Sequence, residues 1–289
     1  MRFENASVFE MGFTFSLLMF LLVFPFNLSA QSSVQQERLT FVRLTGEQYR
    51  NSIRDIFGES IEVRGDAVSA GVREAGLTAL GDRRLTLSSS EVESFEVLAL
   101  DIASQVLEPS RRTTLIPCEP DDQNSVDNEC ASEFISSVGL HLFRRPLAQD
   151  EIEGFKSMAS AATNSLGSFY VGLQAALVGM MVSPDFLFRT ERSSPNPEAP
   201  GLRQLDAWSI ASRLSFFLWN TTPSVSLLKA AESGELLFEE GLNKQVDRMM
   251  SSPRVEDGLR AFFSDMLAFD RFNTLDIDPT LYPKFTKSV

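Results

Sequence analysis

The rhythm of its apolar residues is the strongest constraint on this chain. They recur every three or four positions over most of its length and rarely every second one. Tyr49, Ile53, Ile56 and Phe57 form one such stripe, and Val92, Phe95, Leu98, Ile102 and Val106 form another. Only a helix gathers residues at that spacing onto a single core-facing surface. No alternating run exceeds about five residues, the usual strand length. The expected fold class is therefore all-α: a multi-helix, bundle-like array with long irregular loops and, from the cysteines discussed below, one disulfide.

Start and stop signals divide the pattern. Thr45-Gly46-Glu47-Gln48 has the form of a capping box, and Gly58 supplies a stop. Residues 59–87, rich in Gly and Arg, read as a long irregular connection. Ser88-Ser89-Ser90 before Glu91 opens a second helix, expected to end near Pro109. Further helices are expected from Glu129 to Leu142 and after Pro146, the latter with Asp150, Glu151 and Glu153 at its positive end. Leu166 to Val182 is apolar nearly all round, which marks a buried helix. Phe186–Arg189 reads as extended or as the start of a turn, and residues 192–202, with three prolines, as a linker or exposed loop. Helices over Leu205–Trp219, Pro223–Leu236, Phe238–Met250 and Pro253–Phe269 follow, the last two as an antiparallel pair across Ser251-Ser252.

The N-terminus carries an address. Met11 to Gln36 hold no charge, and the nearly continuous apolar stretch Phe13–Phe24 is shorter than the roughly 20 residues a membrane span wants. With Arg2 before it and Ser29-Ala30 after it, residues 1–30 read as a cleavable signal peptide, with an uncleaved N-terminal anchor as the alternative. Either reading places the rest of the chain in the periplasm or at the cell surface, and membrane contact then comes only through that segment if it stays uncleaved. In such an oxidising compartment the two cysteines, Cys118 and Cys130, read as one disulfide; zinc held by this pair is the rival, but it lacks a nearby histidine to complete the site. A net charge of −13 argues against nucleic acid as a partner, because that needs a basic footprint.

Catalytic groups are scarce. The single histidine, His141, sits beside Leu140 and Leu142 as a packed or helix-end residue, and no Gly-x-Ser-x-Gly elbow accompanies it. Arg144 and Arg145 are positioned to clamp a carboxylate or phosphate, or else to cap the preceding helix and pair with Asp150 or Glu151. Arg213, on an apolar helix, poses the same choice between ligand clamp and packing pair. Asp121, Asp122, Asn124, Asp127 and Glu129 lack the calcium-loop spacing and read as a solvated loop, and Asp270, Asp276 and Asp278 carry no specific signal. Trp219 is expected in the core, with stacking on a ligand as the alternative. No catalytic, cofactor-binding or metal residue is assigned, and the cysteine spacing is unlike that of a haem attachment, so no haem is expected in this chain.

Several blocks carry a family resemblance. Arg43 to Gly58 (RLTGEQYRNSIRDIFG), Phe143-Arg144-Arg145-Pro146-Leu147, Val182 to Arg189, Ala211 to Trp219 and Asp278-Pro279 to Phe285 resemble, in order, blocks of planctomycete- and myxobacterium-type exported proteins. Those proteins are built from consecutive domains of unknown function 1587, 1595 and 1592. Some carry a c-type cytochrome module ahead of these domains. After the signal peptide over 1–30, the resemblance implies an N-terminal helical domain over 31–115, a middle domain with the disulfide loop over 116–195 and a third over 203–289 that is cut short. It implies no established activity. The expectation is a structural or interaction module of a larger exported protein, in contact with other domains or envelope proteins. The alternatives are part of an exported enzyme or cytochrome-linked redox assembly whose active groups lie elsewhere, and a carbohydrate-binding module using Trp219 and the arginines.

Overall fold

Backbone chemistry sets the helices where the caps announce them. In the computed structural model, which describes residues 38–65, 73, 76–78, 87–196, 199–269 and 280–281, α1 spans Gly46–Phe57. Thr45 Oγ1 accepts from Gln48 N and Gln48 Oε1 accepts from Thr45 N, each at 3.2 Å, which satisfies two end donors at once. Helix α2 (Ser89–Val106) opens on the same device, with Ser88 and Glu91. The signal segment 1–30 and Asp270, Asp276 and Asp278 lie outside the described residues.

A short α3 (Arg112–Leu115) leads into the Cys118–Cys130 disulfide, whose Cα atoms are 5.5 Å apart. Asp127 then caps α4 (Asn128–Phe143) by accepting from the backbone N–H groups of Glu129 and Cys130. Helix α5 (Gln149–Leu166) and helix α6 (Phe169–Val182) follow. The apolar run in the sequence begins at Leu166. That residue instead closes α5, is 67% exposed, and is followed by Gly167 in the left-handed region at φ 65°, which ends the helix and turns the chain. Helix α6 itself is buried as expected: Leu173, Ala176, Leu177, Met180 and Met181 are fully enclosed. A one-turn helix α7 (Pro184–Leu187) ends this half.

The structure adds a sheet. Strand β1 (Arg38–Arg43) pairs antiparallel with β2 (Phe188–Pro195), Arg43 opposite Phe188, and β2 pairs with β3 (Arg203–Leu205), Ser193 opposite Leu205. Much of the expected 192–202 linker is thus the end of β2 and its turn into β3, with Asn196 N–H donating to Leu202 O at 3.0 Å. Strand β2 pairs with β1 over its first six residues and with β3 over its last three, and backbone pairing of this kind holds its polar side chains without an alternating apolar pattern. The extended alternative for Phe188 and Arg189 is the one adopted.

Helices α8 (Ala207–Leu218), α9 (Val225–Glu232), a 3-10 turn at Glu235–Leu237, α10 (Glu239–Met250) and α11 (Val255–Met266) complete the described residues. Helix α11 packs on α8, where Gly258 lies against the Leu218 carbonyl. The fold is predominantly helical, with eleven α-helices and one small sheet among the described residues. No helix there is long and apolar enough to cross a membrane.

Two apolar clusters hold it together. The larger gathers α1, α2, α4, α6 and α7 with Phe216 from α8; the smaller gathers Ala207, Ala211, Trp219, Leu227, Leu236 and Met249. Helix α8 feeds both.

Candidate functional site

The corner after α4 is where the sequence placed its strongest candidates. Arg144 ends the helix in the left-handed region at φ 60°, a conformation that costs a side-chain-bearing residue about 1–2 kcal/mol. It is only 3% exposed. Its guanidinium donates to three backbone carbonyls of the α7–β2 turn: Asp185 at 2.5 Å, Phe186 at 3.2 Å and Phe188 at 2.7 Å. Burial, with help from Arg189, pulls its pKa down to about 9, which leaves it protonated at neutral pH.

Arg145 turns the other way. It grips Glu151 with two hydrogen bonds of 2.8 Å and reaches Asp185 Oδ1 at 3.0 Å. The hydrogen bonds from Arg145 hold the Glu151 carboxyl below its ordinary range. The same carboxylate accepts from Ala148 N–H at the start of α5, so one side chain serves as helix cap and ion-pair partner. Pro146 and Leu147 then launch α5, with Leu147 lying over Gly139 so closely that a Cβ there would meet Leu147 Cδ1 at 2.3 Å.

Arg213 stands apart. Its guanidinium pairs with Glu191 on β2, at 3.1 and 2.5 Å, and its side chain is 54% exposed. The structure brings Arg144 and Arg145 together across Asp185 and leaves Arg213 on a separate packing contact.

Two cavities flank the corner. One, of about 20 Å³, is lined by Arg144, Arg145, Asp185, Arg192, Asp206 and Ser212, among others. The second is a cleft of about 360 Å³ between α4–α5 and α8–α9, within the size range of ligand sites. Leu140, Leu147, Ile152, Trp208 and Leu228 make it mostly apolar. Ser136, His141, Lys229 and Glu232 supply its polar groups, and Trp208 lines both spaces. Burial holds the His141 imidazole below its ordinary pKa, so it is neutral at pH 7. The cleft escaped the sequence reading because its lining comes from two stretches more than fifty residues apart, each of which looks like ordinary core.

The remaining candidates have structural work. Trp219 is 4% exposed and donates from Nε1 to the Met249 carbonyl at 3.1 Å, with Arg254 over its ring at 4.8 Å, so no face is open for stacking on a sugar. Asp122 accepts from Asn124 and Asp127 caps α4. The N-terminal block ties the halves together: Asn51 donates to the Asn220 carbonyl at 3.1 Å, and Asp55 accepts from Thr221 at 2.7 Å and from Arg254.

Comparison with known proteins gives domains without activities. No curated protein and no solved structure matches. Residues 130–191 match the family described as PSD5, a protein of unknown function (DUF1595), and residues 205–289 match PSD4, a protein of unknown function (DUF1592). The cleft lies where the two matched regions meet, and the chain carries domain of unknown function 1595 followed by domain of unknown function 1592.

Proposed function

We propose that this chain is an exported, non-catalytic interaction module of a larger periplasmic or cell-surface protein, of the type that sets domains 1587, 1595 and 1592 in series. Its work is to hold an apolar anchor of a neighbouring domain or envelope partner in the cleft between α4–α5 and α8–α9. The observation that carries this reading is the cleft's lining: a largely apolar trough beside exposed Val225, Lys229 and Glu232, with its one imidazole uncharged. Such a surface rewards burial of an apolar group. The candidate arginines, meanwhile, bond to the protein itself.

The test places a photo-crosslinking side chain at position 225 in the exported protein. A discrete adduct with an envelope protein, or with another domain of the same polypeptide, is expected, together with its loss when Leu140→Glu puts a charge in the cleft. The mature chain should be recovered outside the cytoplasm, beginning at Gln31. Turnover of an envelope polymer by the purified chain, abolished by a single substitution, overturns the reading.

A further inference from the structure

The wall that α4 gives the larger cleft is mixed. Leu140 is apolar, but Ser136 and His141 line the cleft beside it, and neither side chain makes a hydrogen bond with the described residues. Both residues are half-buried, and neither has a polar atom sealed off without a partner, so the Ser136 hydroxyl and both ring nitrogens of His141 stay open to water. Leu147 and Ile152 extend that wall, and Trp208 of α8 and Leu228 of α9 make the other.

Such a wall discriminates between anchors. An aliphatic side chain covers the hydroxyl and the imidazole and gives nothing back, so both forfeit their water without replacement. An ammonium or guanidinium brings a donor but must shed its own water against apolar walls. An aromatic ring with one N–H or O–H at its edge meets both demands, because its body packs on the walls while its edge donates to a free lone pair. The ionised groups that share the cleft are Lys229 and Glu232 of α9, one of each sign and both exposed, while α5 and α8 bring Ile152 and Trp208. At the end of α4 itself, Arg144 is engaged with the α7–β2 turn and Arg145 with Glu151 and Asp185. Burial, rather than a neighbouring cation, keeps the imidazole uncharged.

Resting on the docking role proposed above, we infer that the occupant of the cleft is an aromatic side chain with one hydrogen-bond donor, a tryptophan or tyrosine of a protein partner, its ring against Leu140, Leu147 and Trp208 and its donor on a ring nitrogen of His141. Acid undoes the contact made by an indole. A protonated imidazole carries two N–H groups and no lone pair, so it cannot accept from a group that only donates, and covering its charge costs more than covering the neutral ring.

Indole is the probe, and N-methylindole is the same ring without a donor. His141 is the single histidine, so nitrogen NMR of the histidine-labelled exported chain reads its ring alone, while the rise in melting temperature gives the half-saturation. Indole at millimolar concentration should shift the His141 ring nitrogens, and N-methylindole should bind about fivefold more weakly for want of one hydrogen bond. Indole binding should weaken several-fold as the pH falls from about 7.5 to 5.5. His141→Gln, which keeps an acceptor, should keep the preference for indole and lose its pH dependence. In His141→Leu the two rings should bind alike, and to Leu140→Glu neither should bind. Equal binding of both rings to the wild-type chain, or a preference that survives His141→Leu, overturns the inference and leaves the apolar cleft standing. Indole binding indifferent to Leu140→Glu, or no binding at all, sinks the docking reading with it.

Discussion

At the scale of single residues, Arg144 shows how a side chain can override its own backbone. Glycine is the usual residue at a left-handed helix end, and an arginine there is held by what its side chain reaches. The three carbonyls it satisfies belong to the α7–β2 turn, which also receives Leu44 N–H at Leu187 O. Arg144→Ala leaves those carbonyls without donors and keeps the backbone penalty, so urea unfolding should show a loss of roughly 3 kcal/mol. Arg144→Gly relieves the backbone and should come out about 1 kcal/mol less destabilised than the alanine variant. Equal losses would mean the left-handed turn is not held by the side chain. His141 makes a second prediction, in pH. Its folded pKa is depressed by burial, so as pH falls through the ordinary histidine value the unfolded chain takes up a proton before the folded one does. Stability contributed by the neutral, packed imidazole is therefore complete above about pH 7 and declines below it. Measured between pH 5 and 7.5, the wild-type decline should be steeper than that of His141→Gln.

At the scale of elements, α5 and α6 meet at a contact that only glycine permits. A Cβ built on Gly172 falls 2.0 Å from Thr163 Oγ1 and 2.5 Å from the Ala159 carbonyl, whereas one on Gly154 meets nothing within 4 Å. Gly172→Ala must separate the helices and should cost about 1–3 kcal/mol, while Gly154→Ala should gain about 0.5–1 kcal/mol from helix propensity alone. Thermal melts of the two variants should shift in opposite directions. The same local-versus-tertiary contrast explains what the sequence discloses. Thr45 with Gln48, and Ser88 with Glu91, announce their helices because a capping box is complete within four residues. The partners of Arg144 are carbonyls about forty residues away, which any sequence would supply, so no side-chain pattern points to them. Arg145 with Glu151 lies between these cases: a carboxylate partner just beyond Pro146 was expected, but at Asp150 or Glu151 without a choice between them, and the capping geometry at Ala148 decides it. Strand β2 is hard to read for the opposite reason, since backbone pairing, first with β1 and then with β3, asks nothing of its side chains.

For the whole molecule, the question is whether two apolar clusters unfold as one. The described residues from Arg38 onward form one compact unit, and specific contacts join the two clusters. Phe216, on a helix whose other residues build the smaller cluster, inserts into the larger one and is 4% exposed. Around it, Thr222 donates to the His141 carbonyl, Asn51 donates to the Asn220 carbonyl, and Asp55 binds Thr221 and Arg254. Both tryptophans, Trp208 and Trp219, sit in the smaller cluster, so indole fluorescence reports that half alone, while far-UV circular dichroism weighs all the helices. With the joints intact the two signals should trace one denaturant transition. Phe216→Ala removes a buried ring worth about 3–5 kcal/mol from the joint without touching either tryptophan. The fluorescence transition should then move to lower urea and precede the loss of helix, because the smaller cluster is left to stand on a handful of polar bonds. Coincident transitions in the variant, shifted together, would show instead that those polar bonds alone are enough to keep the halves cooperative.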